Sequence, residues 1–216
     1  MNIKNKIVAV GIIALFLSCT TNPFTGNKTL ALVSNSELFP TAFAQYDEFL
    51  TENKVITGTA DAEMIKRVGQ RIAVAAERWL NANGHQGYLD DYKWEYNLVN
   101  DNTVNAWCMP GGKIVFYTGI LPIAQNETGI AAIMGHEVAH ALANHGQQRM
   151  SAGMLQQIGA VAGNVAIKDE QTRNIFNQAY GVGSQVGVML PFSRSHETQS
   201  DEIGLYLMAI AGYNPA

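Results

Sequence analysis

Cysteine, charge and long apolar runs are all scarce in this chain of 216 residues. The two cysteines, Cys19 and Cys108, lie in very different sequence contexts, so a disulfide framework is not expected. Charged residues make up 15% of the chain and the net charge is −4 without a basic run, which gives no support for nucleic-acid binding. Because hydrophobic residues reach 47%, the composition predicts a folded domain with a substantial core and not a disordered chain.

The N-terminus has the pattern of a secretory signal. Lys4 and Lys6 precede an apolar run at 7–17 that is too short to cross a bilayer as a helix. The run ends at Ser18 and Cys19, and this ending resembles the lipobox of bacterial lipoproteins, with Phe16 in place of the usual leucine. Cleavage before Cys19 would leave a lipid-bearing cysteine. The alternative is an ordinary signal peptide followed by a chance cysteine.

This interpretation divides the chain into three parts. Residues 1–18 are expected to be the signal peptide, residues 19–35 the lipidated N-terminus and a polar tether, and residues 36–216 the folded domain. Several acyl chains on Cys19 would anchor the protein stably to a membrane. Thr20 and Thr21 stand where an aspartate would retain a lipoprotein in the inner membrane, so the expected location is the outer membrane of a bacterial cell envelope, facing the periplasm.

Hydrophobic periodicity predicts an α+β fold that is mostly helical and contains a small antiparallel or mixed sheet. Helices are predicted over 36–53, 61–81, 127–146 and 195–212, and strands over 94–99, 103–109 and 113–118. Pro191 is expected to break the chain before the last helix, which Ser195 would cap. Residues 150–190 are rich in small and apolar residues and predict two helices. Their faces either pack closely or form a mobile lid or a surface that meets lipid or another subunit.

The strongest signal is the segment His136-Glu137-Val138-Ala139-His140. On a helix, residues four apart lie about 40° apart around the axis, so both imidazoles project from one face and can bind one metal ion. Glu137 is close enough to take a proton from a water on that ion and to pass it to a leaving amine. The alternative, two hydrogen-bonded core histidines, is disfavoured because apolar residues surround the motif and offer no polar partner.

A third metal ligand is expected on the last helix. Glu197 and Asp201 are four residues apart and share a helical face. One of them can bind zinc while the other holds a histidine ring by its free N–H, and Glu197 is the preferred ligand. The alternative is an acidic pair that stabilises the N-terminus of this helix. His145 is expected on another face of the metal helix, as a surface residue or as a contact of a ligand, and His196 is not expected to bind the metal.

Together these motifs resemble family forty-eight of the metallopeptidases, which includes HtpX and the CAAX prenyl proteases. Both family motifs are matched, by His136, Glu137 and His140 on one helix and by Ser193, Arg194, Glu197 and Asp201 downstream. The resemblance implies a gluzincin domain of zincin-like fold with one Zn²⁺ per chain. It implies that His136, His140 and Glu197 are the ligands, that Asp201 supports them, and that Glu137 is catalytic.

The residues before the metal helix extend the resemblance. Asn105, Ala106 and Trp107, followed by the turn at 110–113, are similar to the family's strand and turn, which implies that this edge strand binds the substrate backbone. Residues 19–34 resemble the family's periplasmic lipoprotein branch. Two departures stand out: Gln199 and Ser200 replace the usual Glu-Ala, and the chain stops at Ala216 where family members continue, so a C-terminal portion is expected to be missing.

The expected function is that of a zinc-dependent endopeptidase, anchored to the envelope as a lipoprotein, that hydrolyses misfolded or misassembled envelope proteins. Unfolded chains suit an edge strand because their backbone groups are free for pairing. The outer-membrane assembly machinery is a further expected partner. One alternative is an assembly factor or chaperone that uses the zinc fold mainly for binding. Another is a degraded structural lipoprotein that retains no zinc.

Overall fold

Helices form most of the fold in the computed structural model, which describes residues 19–174, 177 and 190–215. The helices are α1 (Asn35–Glu52), α2 (Ala60–Ala82), α3 (Leu121–Ala124), α4 (Glu127–Leu142), α5 (His145–Ala166) and α6 (Leu190–Ile210). The strands are β1 (Cys19–Thr21), β2 (Lys28–Leu30), β3 (Val55–Ile56), β4 (Glu95–Val99), β5 (Ala106–Met109) and β6 (Lys113–Tyr117). The predicted α+β class is therefore confirmed. The predicted signal peptide and much of 175–189 lie outside the described residues.

A small mixed sheet supports the helices. Its strand order is β3-β4-β6-β5, in which β4 and β6 are parallel and the other pairs are antiparallel. Side chains alternate between the two faces. Leu98, Ile114 and Phe116 join the main core beneath α2 and α4, whereas Val99 and Val115 pack against Tyr46 of α1 on the other face. Strand β5 is at the edge of the described sheet, as the family resemblance implies for the strand that contains Ala106.

Two helix ends differ from their predicted positions. Helix α4 ends at Leu142 and not at Gly146, because Asn144 adopts a left-handed conformation with φ 57° and a new helix starts at His145. Helix α6 starts at Leu190, so Pro191 lies in its first turn, where a missing N–H costs little, and does not precede the helix as a break. Ser195 is consequently inside the helix, where its hydroxyl accepts a hydrogen bond from Gln199 and does not act as the cap.

The segment predicted as a polar tether forms a β-hairpin of β1 and β2. Asn22, at the turn, is buried and donates from its side-chain amide to the carbonyl of Leu142 over 2.7 Å. The Tyr88 hydroxyl donates to the same carbonyl, so the C-terminal end of α4 has side-chain partners for groups that the helix itself leaves unpaired. Phe24 stacks on Trp79 of α2 at 4.6 Å. The hairpin is thus fixed to the end of the metal helix.

Helix α5 leaves an apolar face uncovered in the described part of the chain. The exposed side chains recur at helical spacing and are Met150, Met154, Ile158, Val161 and Val165. The two interpretations of 150–190 stay predictions, because most of 175–189 lies outside the described residues. Within the same residues, no helix is both long and apolar enough to cross a membrane.

Helices α4 and α6 cross at two glycines. A Cβ atom added to Gly135 would lie 2.8 Å from the carbonyl oxygen of Gly204. A Cβ added to Gly204 would lie 2.9 Å from the carbonyl carbon of Gly135 and from the amide nitrogen of His136. These neighbours are backbone atoms, which cannot move aside as a flexible side chain can. The two helices therefore approach as closely as they do only because both positions lack a side chain.

We expect Gly204→Ala to lower the free energy of unfolding by about 1–3 kcal/mol, because overpacking forces the helix backbones apart. Urea denaturation measures this change. Gly153→Ala on α5 is the matched control, since a Cβ there meets nothing within 4 Å. Ala favours a helix interior by about 1 kcal/mol over Gly, so the control should be neutral or stabilising. Equal stability of the two variants would contradict the close crossing.

Candidate metal centre

Three side chains from α4 and α6 converge where the helices cross. The Nε2 atoms of His136 and His140 lie 3.1 Å apart. The Glu197 carboxylate lies 3.4 Å from Nε2 of His136 and 3.6 Å from Nε2 of His140. These three donor atoms form the group that could hold a metal ion in the described part of the chain. The structure thus brings together the three residues predicted as ligands.

The spacing of these donor atoms fits zinc. Tetrahedral zinc with bonds of about 2.0–2.1 Å holds neighbouring ligand atoms about 3.3 Å apart, close to the separations found here. Two imidazole nitrogens that face each other cannot both carry a proton, and a cation between them removes that conflict. A carboxylate completes a donor set of the kind that catalytic zinc uses, with a fourth position left for water or substrate.

Asp201 supports His136 from the side opposite Glu197. Its Oδ1 lies 2.8 Å from Nδ1 of His136, so this nitrogen donates its proton and Nε2 keeps a lone pair for the metal. The sequence predicts Glu197 as the residue that faces the ion and Asp201 as the residue that supports a ligand. The geometry places the Glu197 carboxylate at the metal-facing nitrogens and Asp201 at the outer one.

His145 is fully buried, which corrects the expectation of a surface residue. The chain reverses at Asn144, so the His145 ring turns back to His140, and the two Nδ1 atoms are 3.0 Å apart. The other expected role, contact with a ligand, is therefore found. His196 is buried as well, and its ring stacks on that of His145 at 4.0 Å. The signal that could have located His145 is Asn144, a residue type that tolerates the left-handed conformation at a helix end.

Burial keeps these histidines neutral. Burial is the largest cause that lowers the pKa of His140 to about 4, and the positive charge of Arg149 acts in the same direction. Burial is also the largest cause that lowers the pKa of His145 to about 4 and that of His196 to about 3. A metal ion binds neutral imidazole, so His140 is in the required form at neutral pH without the cost of removing a proton.

Glu137 stands between the metal helix and strand β5. Its carboxylate accepts a hydrogen bond from the backbone N–H of Cys108. Burial raises the pKa of Glu137 to about 7, and the nearby charge of Glu197 acts in the same direction. A carboxyl group with a pKa near neutrality exchanges protons readily in both directions, as a general acid–base requires.

Strand β5 directs part of its backbone to an open edge. The carbonyl of Asn105 accepts a hydrogen bond from Tyr117 of β6 over 3.1 Å. Because alternate residues of an antiparallel pair bond to the partner strand, Ala106 and Cys108 direct their polar groups away from β6. The N–H of Cys108 meets Glu137, and the backbone of Ala106 faces the edge.

Trp107 reaches the open edge neither with its backbone, which pairs with Val115 of β6, nor with its ring. The Trp107 ring packs edge-on against Tyr46 and Phe49. Its indole N–H donates to the Tyr117 hydroxyl over 3.2 Å. The side chain is therefore on the sheet face opposite α4. Of the three residues predicted to bind substrate, Ala106 alone has its backbone at the open edge beside Glu137.

Arg149 is a charged neighbour that the sequence did not identify. It is exposed on α5 and, with Cys108, Pro110 and His140, lines a small recess of about 50 Å³. Its positive charge contributes to the lowered pKa of His140 and also opposes the rise in the pKa of Glu137. No motif links Arg149 to the metal residues, because its proximity depends on the chain reversal at Asn144.

The sequence was compared with known families and curated proteins. Residues 60–216 match the sequence model of Peptidase family M48. The mitochondrial metalloendopeptidase OMA1 of Schizosaccharomyces pombe is 34% identical over 131 residues, which are 59% of this chain and 36% of that protein. The OMA1 metalloendopeptidase of Danio rerio is 26% identical over 205 residues, 91% of this chain and 41% of the relative.

A bacterial relative is the beta-barrel assembly-enhancing protease of Escherichia coli. It is 24% identical over 127 residues, which are 56% of this chain and 26% of the relative. The chain therefore spans between about a quarter and two fifths of the length of these curated relatives.

We expect Glu197→Ala to abolish tight zinc binding, because it removes one of three protein ligands. Asp201→Ala should leave binding intact but weaken it by about 10–100-fold, since it removes only the group that holds His136. Competition with a chelating dye measures both dissociation constants. Glu202→Ala, an exposed carboxylate on the same helix, is the control and should bind as wild type does. If Asp201→Ala weakened zinc binding more than Glu197→Ala, Asp201 would be the metal ligand and Glu197 the supporting residue.

Proposed function

Because the chain belongs to Peptidase family M48, we propose that it is a zinc-dependent endopeptidase with His136, His140 and Glu197 as metal ligands. The observation that carries this proposal is the convergence of these donors beside a half-buried glutamate that also contacts an edge strand. A structural metal site needs neither a neighbouring acid–base group nor an open strand. A hydrolytic site that acts on polypeptides needs both.

Zinc, when bound, supplies the Lewis acid that polarises the scissile carbonyl and acidifies a water. Glu137 takes the proton of the attacking water on its carboxylate and later gives it to the leaving amine. The N–H of Cys108 holds that carboxylate in place at the end of β5. Ala106 lies two residues before Cys108, and its backbone faces the same edge. It offers its N–H and C=O to an extended substrate segment.

The proposed substrates are unfolded or misassembled proteins of the bacterial envelope. An edge strand pairs with free backbone groups, which folded domains have mostly used in their own secondary structure. The name of the Escherichia coli relative refers to β-barrel assembly, which supports an envelope substrate for this chain. The OMA1 relatives are mitochondrial by name, so the location rests on the bacterial relative and on the N-terminal sequence.

The proposed location is the periplasmic face of the outer membrane, with Cys19 as the lipid-bearing N-terminus. The signal-like run before Cys19 supports this proposal. Thr20 and Thr21 after it favour the outer membrane, because no aspartate is present to retain the protein in the inner one.

A second candidate function is that of an assembly factor that binds clients and rarely cuts them. The exposed apolar face of α5 favours it, because exposed apolar patches often mark surfaces that meet other proteins. The outer-membrane assembly machinery would then be the partner.

We expect Glu137→Gln to reduce casein cleavage by at least about 10²–10⁴-fold while one zinc per chain is retained, because the amide cannot carry the proton. Metal analysis and cleavage by the chain from Cys19 to Ala216 measure these outcomes. Glu63→Gln, an exposed carboxylate on α2, is the control and should cleave as wild type does.

The same pair of proteins separates the alternatives. If wild type and Glu137→Gln both bind zinc and neither cleaves, the binding role is supported and the peptidase proposal fails for this chain. If a role in barrel assembly survives the substitution, that role does not depend on proteolysis. If wild type retains no zinc, the proposal of a metal centre is rejected and the alternative of a degraded structural lipoprotein is supported.

We expect Cys19→Ala to abolish incorporation of a labelled fatty acid and to release the protein from the membrane fraction, because Cys19 is the proposed acceptor. Cys108→Ala is the matched control, since these are the two cysteines of the chain. It should keep both the label and the membrane association. Label in the Cys19→Ala protein would contradict the lipid anchor.

A further inference from the structure

We propose that His145 and Gln199 are positioning residues that fix which nitrogen of His140 faces the metal. This inference rests on the proposed metal site and concerns residues that do not bind the ion themselves. It starts from an asymmetry between the two ligand histidines: Nδ1 of His136 meets a carboxylate, whereas Nδ1 of His140 meets another imidazole at 3.0 Å.

Hydrogen bonds connect Gln199 to His145 and His145 to His140. The donor and acceptor in each bond follow from the orientation of Gln199. In the structure the side-chain amide nitrogen of Gln199 donates to the Ser195 hydroxyl over 3.3 Å, and its Oε1 faces His145. That oxygen lies 3.1 Å from Nε2 of His145 and can only accept. Nε2 of His145 therefore carries the ring proton.

A neutral imidazole has one protonated and one bare nitrogen, so Nδ1 of His145 is an acceptor. Its partner at 3.0 Å is Nδ1 of His140, which must then carry a proton and donate it. The Ser200 hydroxyl, 3.3 Å from the same His145 nitrogen, can add a second donor. Nε2 of His140 is left bare, and this atom faces His136 and Glu197.

The surroundings hold His145 in this role. Its side chain is fully buried, and the His196 ring is stacked on it with an interplanar angle of 11°. His196 is itself oriented by Gln148, whose Oε1 lies 3.2 Å from its Nε2. Gln199 is an uncharged acceptor, so it places no carboxylate against Nε2 of His145.

The first test compares His145→Leu, which cannot accept a hydrogen bond, with His145→Asn, whose side-chain oxygen can take the place of Nδ1. We expect the zinc dissociation constant, measured by chelator competition, to rise by about 10–100-fold in His145→Leu. In His145→Asn it should return to within about threefold of wild type. A role in packing alone predicts no rescue, because Asn fills the buried space less well than Leu.

His196→Phe is the matched control, because it keeps a flat ring against His145 and lies outside the hydrogen-bonded path from Gln199 to His140. We expect a lower melting temperature but a zinc dissociation constant within about threefold of wild type. A loss of zinc affinity as large as that of His145→Leu would assign the effect to packing and overturn the proposal.

A second measurement uses the wild-type protein alone, so it does not require any variant to fold. Nitrogen-15 NMR of the zinc-loaded wild-type protein reports which ring nitrogen of each histidine is protonated. We expect the proton on Nδ1 of His140 and on Nε2 of His145. The opposite tautomer of His145, or zinc binding unchanged in His145→Leu, overturns this inference while the proposed metal site stands. Failure of wild type to bind zinc rejects the proposed function instead.

Discussion

The crossing of α4 and α6 at Gly135 and Gly204 is the contact on which the rest of the site depends. His136 follows Gly135 directly, and Asp201 is about one helical turn before Gly204, so the glycines set the distance between the ligand-bearing backbones. Aspartate has a short side chain, and it reaches Nδ1 of His136 at 2.8 Å only from a nearby helix. An increase of one ångström in helix separation would break this hydrogen bond and move Glu197 away from both imidazoles.

The sequence predicts the elements of this site better than their contacts. Spacing alone places His136 and His140 on one face, and the resemblance to a known family identifies Glu197 on a helix some sixty residues later. What it does not predict is tertiary: the reversal at Asn144 that buries His145, and the crossing that depends on Gly204. Both follow from single residues whose conformational or steric role has no periodic signature. The early start of α6 was missed for a related reason, because Pro191 is compatible with a first helical turn as well as with a break.

Four of the five histidines of the chain lie in one connected group. Burying so many imidazoles is costly unless each polar nitrogen has a partner, and a network that is only partly satisfied is worse than an apolar core. Asp201 terminates the group at one end and Gln199 at the other. The departure from the family pattern at Gln199 and Ser200 is therefore not neutral surface variation, since both side chains contact His145.

Asn22 sets a limit on how far the catalytic centre can rise above a membrane. It is tied to the carbonyl of Leu142 and lies three residues after Cys19, the proposed lipid-bearing residue. Three extended residues span at most about 10 Å, and His140 is about 3 Å further along the helix. With the Asn22 side chain and its hydrogen bond included, the proposed centre would lie within about 20 Å of the lipid headgroups, less than the diameter of a small domain. The proposed lipid anchor would therefore keep the proposed site close to the bilayer surface, within reach of chain segments that lie along it.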